Sequence, residues 1–199
     1  MKQLIIATRN QHKFREIQSF LQDQGNRIEC VSLLDYPKIP DVDENCLSFV
    51  GNALKKAKTI SNLTKQPVLA DDSGLVVPAL SGQPGVFSAR YAGQGSTDDQ
   101  NNQKLLKELK NIPTSERNAY FACALVMYSP SGIFHTSQGQ LHGMMIDDPR
   151  GKNGFGYDPI FYMPDRKCTL AEVPHEEKIK FSHRTRALEQ LLKITDLNF

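Results

Sequence analysis

The run that most narrows what this chain can become is Ala119–Tyr128, AYFACALVMY, which is apolar at nearly every position. A strand with no polar face has no side to give to solvent, so it belongs in the middle of a sheet with both faces covered. Ser129-Pro130-Ser131-Gly132 then turns the chain into a partner over Ile133–Leu141, which predicts an antiparallel hairpin. Upstream the pattern is different. Leu4–Ala7 reads as a short apolar strand, and Phe14, Ile17, Phe20 and Leu21 recur at helical spacing in a helix over Lys13–Gln24. A strand over Arg27–Leu33 follows, then a proline-punctuated loop over Tyr36–Asp41, then a helix over Ser48–Leu63 with Phe49, Ala53, Ala57 and Ile60 on one face. Asp98–Leu109 is another helix, and Ala187, Leu188, Leu191 and Leu192 line a last one. Helices between strands, together with a hairpin, predict an α/β chain with a mixed sheet.

A chain of 199 residues is long enough to bury a sizeable core and suits one domain, or one domain with two lobes. No repeat, low-complexity tract or long linker marks a hard boundary, so residues 1–199 read as a single domain. The formal net charge of +2 shows no basic excess of the kind that wraps nucleic acid, and any anion site is therefore local. Leu4–Ala7 is too short for the core of a signal peptide or for a membrane span, which predicts a cytoplasmic protein. Cys30, Cys46, Cys123 and Cys168 form no CxxC pair and the five histidines show no HExxH spacing, so neither a zinc site nor a redox motif is signalled.

Chemistry gathers in Val68–Arg90. Val68, Leu69 and Ala70 deliver Asp71 and Asp72 into Ser73-Gly74, read as the end of a strand and its turn, with Leu75–Val77 as a second short strand. Asp and Gly after apolar residues also make an ordinary turn. Consecutive carboxylates on an extended backbone face opposite ways, so one can meet a ligand while the other braces the loop. That division suits a magnesium and phosphate site, because magnesium takes one or two protein carboxylates and keeps water and substrate phosphates in its shell.

At the first strand-to-helix junction, Thr8, Asn10 and Lys13 put a hydroxyl, an amide and an ammonium beside the N–H groups of a helix N-terminus, where phosphate binds readily. The plainer alternative is a capped helix with a solvated lysine. No GxxxxGK[ST] motif is present. Glu44, just ahead of the next helix, is either a partner for the helix dipole or a metal ligand facing Asp72. Of Lys55, Lys56 and Lys58, at most one reaches a ligand from a single helix face. In Gly151–Pro159 the glycines around Phe155 and Tyr157 either let the backbone approach a flat base or simply make turns. Ser182 can cap the last helix, which sets His183 and Arg184 in its first turn, a place where cations are unfavourable unless a ligand needs them.

Five blocks, in order, resemble those of the noncanonical purine nucleoside triphosphate pyrophosphatases, the inosine and xanthosine triphosphate hydrolases that cleanse the nucleotide pool. They are Ala7–Lys13 with Glu16; Glu44–Phe49 with Asn52-Ala53 and Lys56-Ala57; Ala70–Leu75 with Pro84–Val86 and Ser88–Arg90; Gly154–Pro159; and Lys178 with Ser182–Arg184. The resemblance covers nearly the whole chain. It implies an elongated central mixed β-sheet flanked by helices, two lobes with the substrate cleft between them, and a homodimer. It also implies hydrolysis between the α- and β-phosphates, with magnesium, to a monophosphate and pyrophosphate.

By the same resemblance Asp72 is the general base, Glu44 and Asp72 lie at the metal, and Thr8, Asn10, Lys13 and Lys56 hold the triphosphate with Ser73 close by. Arg9, Gln11 and His12 belong to the same substrate-binding loop. Phe155, Gly156, Tyr157, Asp158, Lys178, His183 and Arg184 form the base pocket. A donor from Arg184 or His183 aimed at a 6-keto oxygen would lack an acceptor in adenine, and an unpaired buried donor discriminates strongly. Guanine shares the 6-keto group, so its rejection rests on the 2-position. The chain departs from the family pattern at Arg9, where many members have glycine, and at Asn45-Cys46, where threonine and glycine are common. Two other readings keep the cleft: a pyrophosphatase of a different modified nucleotide, and a sensor that binds without hydrolysis. Neither nucleic acid nor membrane is expected as a partner.

Overall fold

The computed structural model describes residues 2–25 and 28–195. Its strands are β1 (Lys2–Ile6), β2 (Ile28–Ser32), β3 (Val68–Val76), β4 (Asn118–Tyr128), β5 (Phe134–Met145), β6 (Phe161–Met163) and β7 (Cys168–Thr169). They form one sheet in the order β2-β1-β3-β4-β5-β6-β7. β1 runs parallel to β2 and β3, while β6 runs antiparallel to β5 and β7, so the sheet is mixed as the strand and helix pattern predicts. Arg27, the expected start of the second strand, lies outside the described residues. The helices are α1 (Gln11–Asp23), α2 (Phe49–Thr64), α3 (Asp98–Leu109), the short α4 (His175–Lys178) and α5 (His183–Ile194).

β4 shows why its composition is so apolar. Cys123, Leu125 and Met127 pack on one side with Ile17, Phe20 and Leu21 of α1 and with Ala187, Leu188 and Leu191 of α5. Val126 and Tyr128 belong to a separate cluster with Ala53, Ala57 and Ile60 of α2. Alternate side chains of one strand thus serve two helical layers, and neither face is left to water. The chain divides into two compact units: one runs up to Asp72 and adds Cys123–Gly139 and the part from His183 onward, and the other takes Ser73–Ala122 and Gln140–Ser182. The second unit has its own core, in which Leu75, Leu105, Leu109, Phe121, Met145, Tyr157, Ile160 and Phe161 are buried together.

One local expectation is corrected. Asp71-Asp72-Ser73-Gly74 is no turn; it is the middle of β3, which continues without a break from Val68 to Val76. Turn-forming composition yields here because long-range partners hold both acids, and because Gly74 lets another segment come close. A Cβ at Gly74 would run into Ser88 Oγ and the carbonyl oxygen of Gly85, and that same Ser88 hydroxyl accepts the Leu75 N–H at 2.9 Å. Tertiary contacts of this kind override local preference. All four cysteines are free thiols, and among the described residues no helix is long and apolar enough to cross a membrane.

Candidate active site

Because β3 is extended, Asp71 and Asp72 have separate surroundings, as strand geometry requires. Asp71 is an ion-pair hub. Lys13 Nζ lies 2.8 Å from its Oδ1 and Arg184 Nε 3.2 Å from its Oδ2. Arg184 also donates to Glu16 through a terminal guanidinium nitrogen, and the Cys123 thiol is 3.7 Å from Asp71. Lys13, Asp71, Arg184 and Glu16 make a chain of alternating charge whose formal sum is zero. A buried ion pair persists only with such compensation. Burial alone would raise the Asp71 carboxyl, but the charges of Lys13 and Arg184 outweigh it and hold the group well below the usual carboxylate range. Burial likewise opposes the Lys13 ammonium, and Asp71 overcomes it, so the lysine pKa is raised.

Asp72 is the opposite case. Its Oδ2 accepts a hydrogen bond from Asn52 Nδ2 at 2.9 Å, and only 5% of the residue is exposed. Burial first, and the charge of Glu44 second, push its carboxyl up to about 6, against the lowering influence of Lys13, Asn52 and Lys56. A carboxylate that changes charge near neutrality can accept a proton from water and release it again. Glu44 pairs with Lys56. Lys55 Nζ donates to the Asp43 carbonyl at 2.6 Å and to Asn45 Oδ1 at 2.9 Å, while Lys58 is exposed. Of the three lysines of α2, then, one meets the acid at the site, one ties down its loop, and one faces solvent.

Glu44 and Asp72 offer two hard carboxylate donors, and the charge of Glu44 is felt at Asp72. Among the described residues no group of three or more His, Cys, Asp or Glu gathers to hold an ion. A donor set of two carboxylates fits magnesium, which completes its shell with water and phosphate oxygens.

The loop at the start of α1, expected to meet phosphate, makes several bonds to the protein itself. Asn10 is the N-cap, accepting from the N–H groups of His12 at 2.9 Å and Lys13 at 3.2 Å. Thr8 is buried, and its hydroxyl accepts the Asn10 N–H. Gln11 and His12 are exposed on the first turn. Arg9 turns away from the helix: Nε meets Asp41 at 2.8 Å, and the two terminal nitrogens donate to the carbonyls of Leu33 at 2.9 Å and Ile39 at 2.6 Å. It pins the Leu33–Asp41 loop. Arg184, expected to aim a donor at a base, is bound by carboxylates of the protein. A guanidinium only 1% exposed needs carboxylates, and it directs Nε and a terminal nitrogen at Asp71 and Glu16. His183 is buried in the first turn of α5, against which Gly139 of β5 packs so closely that a Cβ there would strike the His183 carbonyl. An isolated glycine inside a strand is the sequence signal for such an approach.

Phe155, Gly156, Tyr157, Asp158, Lys178 and the partly buried Ser73 belong to the other unit. Lys178 Nζ lies 2.5 Å from Asp158 Oδ2 and 4.9 Å from the centre of the Phe155 ring. Asp158 also accepts the Phe155 N–H at 3.1 Å, and Gly154 has no Cβ because one would collide with that same carboxylate. Tyr157 donates its hydroxyl hydrogen to the Ser88 carbonyl at 2.9 Å. Two residues of α3 that carried no signal in the sequence hold Gly156: Asp98 Oδ2 accepts its N–H at 2.6 Å, and Asn102 Nδ2 donates to its carbonyl at 3.0 Å.

Known proteins resemble this chain over nearly its whole length. A curated dITP/XTP pyrophosphatase from Geobacter sulfurreducens is 50% identical over 191 residues, covering 96% of this chain and 95% of that protein. Its counterpart from Halalkalibacterium halodurans is 45% identical over 196 residues, covering 98% and 100%. Among solved structures, a HAM1 protein from Coxiella burnetii superposes with a TM-score of 0.88 at 40% identity over 98% of each chain. The Ham1 protein of Staphylococcus aureus does so with 0.85 at 37% identity over 97% of each. Residues 4–194, which carry both acids of β3, the loop of Glu44, the Phe155 loop and the first turn of α5, match the Ham1 family profile, and the chain belongs to the Ham1 family.

Proposed function

We propose that this protein is a house-cleaning nucleotide pyrophosphatase that hydrolyses noncanonical purine nucleoside triphosphates, the inosine, deoxyinosine and xanthosine compounds, to the monophosphate and pyrophosphate. The observation that carries the chemistry is Asp72, a buried carboxylate pushed up to about 6 and held through one oxygen by Asn52. The substrate class follows from the relatives named dITP/XTP pyrophosphatases. Ionised Asp72 takes a proton from water as the water oxygen bonds to phosphorus. The bond from the α-phosphorus to its bridging oxygen breaks, and pyrophosphate leaves with the electron pair. Lys13 and Lys56 offset charge on the triphosphate. Magnesium, held by Glu44 and Asp72, would neutralise phosphate charge where it develops.

On the base side, the Phe155 ring offers a stacking face, and the adjoining Lys178–Asp158 pair offers a donor and an acceptor. A donor committed to a 6-keto oxygen loses its partner when the base is adenine. The proposal takes a free nucleotide rather than nucleic acid as substrate, and includes a homodimer and a cytoplasmic location. The test is release of pyrophosphate and orthophosphate from inosine, xanthosine, adenosine and guanosine triphosphates, with magnesium and with chelator. Pyrophosphate from the first two alone, abolished by chelator, is the expected result. Orthophosphate as product, equal rates on all four, or binding without turnover would overturn it.

A further inference from the structure

We propose that Asn52 is a positioning residue for the hydrolytic step: one end of its amide aims Asp72 and the other fixes the loop that carries Glu44. This rests on Asp72 being the base. Asn52 is fully buried in α2, Nδ2 donates to Asp72 Oδ2 at 2.9 Å, and Oδ1 accepts the Cys46 N–H at 2.8 Å. The amide fits only one way round. Turned over, it would set its NH2 against a main-chain N–H and its oxygen against a carboxylate, losing both bonds at once. An amide suits both partners, accepting at one end and donating at the other, whereas an ionised aspartate only accepts and an apolar residue does neither.

Two consequences follow for the site. With Oδ2 held by Asn52, the direction in which the Asp72 carboxylate presents its oxygens is set. And since Asn52 reaches position 46 through the main-chain N–H, this bond does not depend on the side chain of Cys46. Lys55 and Lys56, one turn further along the same face of α2, bind Asp43, Asn45 and Glu44, so a single helix holds the 43–46 segment at four residues. Asn52 alone of the three also reaches the base.

The experiment compares Asn52→Asp and Asn52→Ala with Asp72→Asn, measuring kcat and KM for inosine triphosphate, thermal melting, and binding of a non-hydrolysable inosine nucleotide. Asn52→Asp keeps an acceptor for the Cys46 N–H but turns a carboxylate onto Asp72; Asn52→Ala removes both bonds. Misdirecting a base by even 1 Å costs on the order of 100-fold in rate, so kcat is expected to fall about 100-fold in both variants with KM and nucleotide binding held. If Asn52 merely ties down the loop, Asn52→Asp turns over like the native enzyme and the proposal is overturned. It is overturned equally if KM rises while kcat stands. Should Asn52→Asp fail to fold, the split between kcat and KM in Asn52→Ala decides alone. Normal turnover by Asp72→Asn would sink the base assignment and this inference with it, whereas an inactive Asp72→Asn beside native-like Asn52 variants sinks only the role of Asn52.

Discussion

Lys13 Nζ and Asp71 Oδ1 stand 2.8 Å apart, an ion pair that ties the first turn of α1 to the middle of β3 while the neighbouring Asp72 turns to Asn52. Removing one member of a buried pair strands the other, so Asp71→Asn is expected to cost about 3–5 kcal/mol in denaturant unfolding. The folded-state value of Asp71 is depressed, so its contribution is complete above the unfolded value of about 4 and is lost as pH falls below that. Stability of the native protein should therefore drop steeply below about pH 4, and Asp71→Asn should flatten that slope. Equal slopes for the two proteins would show that Asp71 is not the acid-sensitive group.

Asp72 has the reverse sign. Its carboxyl is raised to about 6, so ionising it in the folded state is unfavourable, and the fold carries that penalty increasingly as pH climbs from about 4 through 6. Asp72→Asn should abolish turnover and at the same time raise the melting temperature at pH 8, with no gain at pH 4. In chelator, the NMR titration of the Asp72 carboxyl should have its midpoint near 6, and Glu44→Gln should lower it by removing one of the two influences that raise it. A midpoint near 4, or one that Glu44→Gln leaves in place, contradicts this account of the site.

What was legible in the sequence was whatever a short stretch decides by itself. β4 was legible because burial on both faces leaves a run with no polar position, and the separation of Asp71 from Asp72 followed from the pleat of an extended chain. What the stretch Asp71–Gly74 becomes was not legible, because Lys13, Asn52, Arg184 and Ser88 decide it from elsewhere in the chain. Arg184 is the sharpest case. Its place in a helix first turn marked it as unusual, yet the carboxylate of Glu16 that explains it is 168 residues away. The acids and amides at the start of α3 were silent for another reason: they look like ordinary helix-terminus residues, and Asp98 is one as well as the acceptor for Gly156.

Arg9 separates a structural from a substrate role. Its guanidinium donates to the carbonyls of Leu33 and Ile39 and to Asp41. Arg9→Ala leaves two carbonyls of the loop without their charged donor, and is expected to lower stability by about 2 kcal/mol, the exposed Asp41 pair adding little. KM for inosine triphosphate should stay close to native. A large rise in KM with unchanged stability would return Arg9 to the triphosphate.

The clamp of α3 on Gly156 predicts how the Phe155 loop is shaped. Gly154 and Gly156 both have positive φ, 76° and 62°, a conformation glycine adopts without strain, and the loop they shape is held by Asp158 from within and by α3 from outside. Asp98 accepts the Gly156 N–H and Asn102 donates to its carbonyl, fixing one peptide unit on each side. Asp98→Ala removes a charge-assisted bond of about 2 kcal/mol, so KM for inosine triphosphate should rise on the order of 10-fold with kcat changed much less. It also removes an acid from a helix first turn, which lowers stability by about 0.5 kcal/mol whatever happens at the loop. Asp98→Asn separates the two effects: it loses the same charge at the helix end but keeps a carbonyl oxygen for the Gly156 N–H. The expected outcome is a small loss of stability in both variants and a KM defect in Asp98→Ala alone. If Asp98→Asn shares the KM defect, it is the charge of Asp98 that matters to the nucleotide, and the hydrogen bond to Gly156 is incidental.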